Sequence, residues 1–105
     1  MKLIWTDFAI ENLKYIFFYY SKNVSRKIAH KIRLQLLDAT KQLIKHPESG
    51  QIESSLSQLN QDYRFIVCGN YKIIYRILEN QIIIFDVFDT RQNPIKMNDT
   101  NRLSN

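Results

Sequence analysis

The sequence predicts an α+β fold: one domain of order β-α-α-β-β-β, with a helical hairpin packed on one face of a mainly antiparallel sheet. Three observations predict it. Apolar residues recur at helical spacing between residues 6 and 46. The period changes to two from Tyr63 onward, and short turn signals separate the runs in that second half. The length of 105 residues is that of one domain, and a hydrophobic content of 45% supplies a core without metal or disulfide.

Residues 2–5 read as a first strand. Thr6 then suits a helix N-cap, with Asp7 favourably placed in the first turn. Ala9, Leu13, Ile16, Phe17 and Tyr20 form one apolar stripe. Residues 21–25 break it, and Ser25 or Asn23 can cap a second helix. The second stripe is Ile28, Ala29, Ile32, Leu36, Ala39 and Leu43. Lys45 and His46 suit the last turn, and Pro47 stops the helix. Residues 47–62 are polar, anchored by Leu56 and Leu59, and read as a crossing loop with room for a short helical turn. Residues 63–68, 71–78 and 82–89 are β-branched and aromatic runs. Gly69-Asn70 and Glu79-Asn80 punctuate them, so an antiparallel meander is expected. The domain is expected over residues 1–97, followed by a polar, flexible tail over 98–105.

Strand alternation leaves two registers open for the first hairpin, because a slip of one residue exchanges the faces. A two-residue loop at Gly69-Asn70 sets Cys68 opposite Tyr71 and mixes charge with large apolar groups on each face. A three-residue loop, with Asn70 in the left-handed position, sets Val67 opposite Tyr71. Tyr63, Phe65, Val67, Tyr71, Ile73, Tyr75 and Ile77 then form one apolar face against the helices, and Arg64, Lys72 and Arg76 gather on the other. Burying one of these cations unpaired costs several kcal/mol, which favours the three-residue loop. On this reading the second face is free for a ligand, and Arg91 and Asp86 reach it; the alternative is that Asp86 pairs with Arg64 or Arg76 and the cluster only solvates a face.

Fifteen Lys and Arg against ten Asp and Glu give a net charge of +5. That balance favours an anionic partner. The lone Cys68 cannot form an internal disulfide, which fits a reducing cytoplasm. Asp7 and Glu11 interrupt any signal-peptide pattern, and the apolar runs 15–20 and 82–85 are too short to span a bilayer. His30, His46, Cys68 and the acids lack metal-ligand spacing, so neither metal nor cofactor is expected. Lys22, Arg26, Lys27, Lys31, Arg33, Lys41 and Lys45 also make the helical half basic. No helix-turn-helix pattern accompanies them, and such charge suits an acidic protein partner.

Three blocks together resemble the RelE/ParE toxin superfamily, which includes plasmid stabilisation proteins. They are YRFIV at 63–67, NYKIIYRI at 70–77 and IIFDVFDTRQNP at 83–94. Trp5, Ala9, Leu13, Ala29, Pro47 and Gly50 fit the same pattern. The resemblance implies the toxin of a type II toxin–antitoxin module, held inactive by a cognate antitoxin protein. Two activities occur on such a fold: ParE-like inhibition of DNA gyrase, and RelE-like cleavage of mRNA in the ribosomal A site. An inactive relative that only binds antitoxin is a third possibility. For RNA cleavage, the resemblance implies Arg64, Lys72 and Arg91 as the catalytic cations; the strand register adds Arg76, and the four together are the expected binding residues. RelE-like sites also carry a basic residue where this chain has Ile66, and often a Tyr or His acid/base group at about the place of Met97. Those two departures favour the ParE-like reading.

Overall fold

The computed structural model describes residues 1–59, 61–98, 102 and 103. Each helix starts where a side chain satisfies an otherwise unpaired amide. Thr6 Oγ1 accepts from the Ala9 N–H at 3.2 Å and opens α1 (Asp7–Asn23); Ser25 Oγ accepts from the Ile28 N–H at 3.1 Å and opens α2 (Arg26–Lys45). Ala9 and Ile16 of α1 are buried, as are Ala29, Leu36, Thr40 and Leu43 of α2. Ile28, expected in the buried stripe, is exposed. It lies one position off the row 29, 36, 40 and 43 that faces the sheet, and Thr40 enters that row with its hydroxyl donating to the Leu37 carbonyl at 2.7 Å.

Among the described residues the sheet has five strands in the order β1-β5-β4-β3-β2. They are β1 (Lys2–Trp5), β2 (Gln51–Ile52), β3 (Arg64–Cys68), β4 (Tyr71–Leu78) and β5 (Gln81–Asp89). The segments β3, β4 and β5 form the expected meander, and β1 lies parallel to β5. The crossing loop holds the two-residue β2, which pairs with Phe65 and Arg64, and a 3₁₀ turn at Ser54–Leu59. A second 3₁₀ turn, Pro94–Asn98, follows β5.

The register of the first hairpin overturns the sequence-based expectation. Cys68 pairs with Tyr71, and Arg64 pairs with Tyr75, so the loop has two residues. Gly69, not Asn70, takes the left-handed backbone at φ 59°, as suits the first position of a type II′ turn. Two physical reasons lift the objection to this register. Arg64 is only half-buried, and its guanidinium reaches the Gly50 carbonyl at 2.9 Å, so its charge is not stranded in the core. Nor is the opposite face free. Leu56, Tyr63, Ile74, Ile83, Phe85, Phe88 and Met97 form a second apolar cluster there, contributed in part by the two 3₁₀ turns. A sheet covered on both sides needs large apolar groups on both sides.

The helix-side cluster joins Ala9, Ile16, Leu36 and Leu43 to Tyr71, Ile73, Tyr75, Ile82, Ile84 and Val87. A bulge keeps the alternation in step: Ile74 pairs with Asp86 and Tyr75 with Ile84, which leaves Phe85 as the extra residue. Of the segment expected as a free tail, Leu103 packs against the second cluster and Arg102 is held by Asp86. Residues 99–101, 104 and 105 lie outside the described residues. No described helix is long and apolar enough to cross a membrane.

Candidate functional site

The structure does not gather the expected cations on one face. Arg64 stands opposite Tyr75 on the helix side, whereas Lys72 and Arg76 pair with Phe88 and Ile83 on the other. The separation follows directly from the two-residue loop, which puts residue 64 on the face of residues 71, 73 and 75.

Arg64, Lys72 and Arg91 are each hydrogen-bonded within the chain. Arg64 Nη1 donates to the Gly50 carbonyl, next to the phenol of Tyr75. That phenol donates to the Pro47 carbonyl at 2.7 Å and accepts from the Gly50 N–H at 3.0 Å. Burial pushes the Tyr75 phenol above its ordinary value. A Cβ at Gly50 would meet Tyr75 Cε1 at 2.7 Å and the Phe65 carbonyl at 2.8 Å, so this knot requires glycine. Lys72 Nζ donates to Glu53 Oε1 at 2.8 Å and stands 4.2 Å from the Phe65 ring centre. Glu53 is 2% exposed, and its second oxygen accepts from the Ser55 N–H at 3.0 Å. Burial pushes the Glu53 carboxyl up, but Lys72 and the Ser55 amide outweigh it and hold the group below the usual carboxylate range. Arg76 lies over the Tyr63 ring at 5.4 Å.

Arg91 forms a fork with Asp89 two residues before it, Nε to Oδ1 at 2.9 Å and Nη2 to Oδ2 at 2.7 Å. The fork holds the Asp89 carboxyl below its ordinary range and raises the Arg91 guanidinium. A carboxylate held so is a poor proton acceptor, which argues against Asp89 as a general base. Asp86 does not pair with Arg64 or Arg76; its partner is Arg102. Asp86 sits beside the bulge and meets Asn12 of α1 and Arg102. Ile66 packs against the helix-side cluster, and Met97 is buried in the second one. Neither position carries a proton-transferring group. His30 is exposed and meets Phe17 edge-on at 4.9 Å, and His46 ends α2, as expected of surface and capping residues. Among the described residues no group of three or more His, Cys, Asp or Glu could hold a metal.

Two open surfaces among the described residues lie on α1. A cleft of about 300 Å³ runs between α1 and the end of the sheet, lined by Tyr15, Tyr19, Tyr71, Asp89 and Arg91 among others. An apolar groove of about 520 Å³ lies on the helical hairpin, formed by Ile10, Leu13, Phe17, Phe18 and His30 with Lys14 and Arg33 at its rim. Phe18 is 67% exposed there. Sequence reasoning did not single out this groove. The signal was present in residues 15–20, YIFFYY, a run too apolar for one buried stripe to absorb.

The sequence matches the family described as ParE toxin of type II toxin–antitoxin system, parDE, over residues 3–94. A solved structure described as a chromosomal ParDE TA system from P. aeruginosa superposes with a TM-score of 0.72. It is 18% identical, with 85% of this chain and 95% of that chain covered, and at that identity the likeness speaks for the fold. No curated protein matches the sequence.

Proposed function

This chain belongs to the ParE toxin family of type II toxin–antitoxin systems, and from that premise we propose that it acts by binding a macromolecular target, DNA gyrase, and not by cutting RNA. The observation that carries this reading is the engagement of the three cations that cleavage needs. Arg64 serves the Gly50 carbonyl, Lys72 serves the buried Glu53, and Arg91 serves Asp89. Phosphoryl chemistry on RNA needs preorganised cations converging on one phosphate and a group that moves a proton. Here the cations are divided between two faces, and Met97 and Ile66 offer no proton transfer.

A ParE toxin implies a cognate ParD antitoxin. The groove on α1 and α2 supplies the chemistry for that partner: apolar pockets around Phe17 and Phe18, with Lys14, Lys22, Arg26 and Arg33 around them. An amphipathic segment with apolar anchors and acidic flanks fits such a surface. With gyrase as target and an antitoxin as partner, the proposed site of action is the cytoplasm.

The test is a supercoiling assay with purified gyrase and the antitoxin-free chain, run beside primer extension on translated mRNA. Inhibition of supercoiling that antitoxin reverses is the expected result. Cuts in the ribosomal A site with unaffected gyrase would instead establish the nuclease. Neither effect at saturating protein, with normal growth on induced expression, would reduce the chain to an antitoxin-binding relative.

A further inference from the structure

Asp86 is a carboxylate 1% exposed on a strand whose other residues between its two polar ends are Ile, Phe and Val. A buried carboxylate is costly unless hydrogen-bonded and paired. Its first oxygen is fixed by α1, where Asn12 Nδ2 donates to Oδ1 at 3.3 Å and to the Val87 carbonyl at 2.5 Å. Its second oxygen accepts from Arg102 Nη1 at 2.8 Å. The Arg102 guanidinium stands 5.2 Å from the ring centres of both Phe8 and Phe88. A fixed carboxylate oxygen beside two aromatic faces is recognition chemistry for a planar, delocalised cation. Guanidinium satisfies both demands, and a compact, strongly hydrated ammonium satisfies them less well.

The groups that meet Arg102 belong to two regular elements. These walls come from α1 and β5, and β1 pairs with β5 only as far as Ile84, so among the described residues no strand covers the edge of β5 beyond that point. Arg102 enters from outside every helix and strand and remains 17% exposed. It behaves as a tethered ligand, with occupancy set by a local effective concentration in the millimolar range, roughly, for a short tether.

We propose that Asp86, Asn12, Phe8 and Phe88 form a binding pocket for an arginine side chain, filled in the free chain by Arg102 and able to exchange it for an arginine borne by a protein partner. The inference is independent of the gyrase reading.

Calorimetric and thermal-shift titrations of the full-length Arg102→Ala chain test it, with N-acetyl-arginine amide and N-acetyl-lysine amide as probes. Arginine amide should bind saturably and raise Tm, with lysine amide weaker by about tenfold or more. The Arg102→Ala, Asp86→Asn double variant should not respond. Equal response to both amides, or a response that survives loss of Asp86, overturns the pocket. Should Arg102→Ala fail to fold alone, recovery of its circular dichroism by arginine amide is the same readout. Arg102→Lys provides a second background, in which arginine amide must still outbind lysine amide. Exchange is read in the wild-type chain from the Arg102 Nε–H resonance during titration with the peptide acetyl-Gly-Arg-Gly-amide. A resonance that moves toward that of a free arginine supports exchange; one that stays fixed while the alanine variant binds arginine amide refutes it.

Discussion

Replacing Lys72 by methionine keeps the stem over Phe65 and removes the ammonium from Glu53. Breaking a buried pair by deleting one partner costs about 3–5 kcal/mol, because the surviving charge is left without compensation. Two features of this pair reduce the cost. Lys72 is 24% exposed, so water already screens the interaction, and the Ser55 N–H still serves one Glu53 oxygen. A loss of about 2–3 kcal/mol at neutral pH follows, or a fall in Tm of roughly 10–20 °C for a domain of this size. The pH dependence is the sharper part. In the wild type the Glu53 carboxyl is held below its ordinary value, so its stabilisation is present above the unfolded value of about 4.3 and fades as pH falls through the folded value. Without the ammonium, burial is opposed only by the Ser55 hydrogen bonds, so the folded value lies above that of the wild type and the stabilisation Glu53 supplies near neutrality is reduced. The difference between the two proteins must therefore be largest near neutrality and shrink on acidification. Urea denaturation at about pH 7 and about pH 4 measures it, with Glu53→Gln in both backgrounds to close a double-mutant cycle. A loss below about 0.5 kcal/mol at pH 7, or an equal loss at both pH values, would refute the reasoning.

Gly50→Ala should cost at least about 2 kcal/mol, since the new methyl meets Tyr75 and the Phe65 carbonyl and separates the Tyr75 phenol from Pro47 and Gly50; thermal melts check it, with Tyr75→Phe expected to lose a similar amount. Phe18→Glu should leave the melting temperature within a few degrees yet weaken binding of an acidic antitoxin by about tenfold or more in calorimetry, because the side chain is exposed at the rim of the helical groove. Glu79 holds a left-handed backbone, φ 54°, at the second hairpin turn. Glu79→Gly should be near neutral, as relief of strain offsets the added freedom of the unfolded chain, and Glu79→Val should be less stable than Glu79→Gly by about 1–2 kcal/mol in the same melts.

The elements were legible because their signals are local. Thr6 and Ser25 sit where a side-chain oxygen can satisfy a helix amide, the stripes through Ala9 and Leu36 repeat at helical spacing, and residues 71–78 alternate. Such preferences act within a few residues, so strand, helix and turn emerged in the right order. The identity of the family was legible for the same reason, since it rests on the order of those blocks. The faces of the sheet were not. The two hairpin registers differ by one residue, and the choice between them depended on whether anything covered the second face. Leu56 and Met97 cover it, from short turns in stretches that look polar and unstructured in sequence. That coverage decided that Arg64 lies with the helices and that Lys72 needs Glu53, and so divided a cationic cluster that alternation alone had assembled. Asp86 and Arg102 likewise meet only in the folded protein, since sixteen positions separate them in the chain. The sequence by itself determined the elements and the lineage of this protein. Only the tertiary structure decided which charges meet, because a charge's partner is chosen by what else is buried around it.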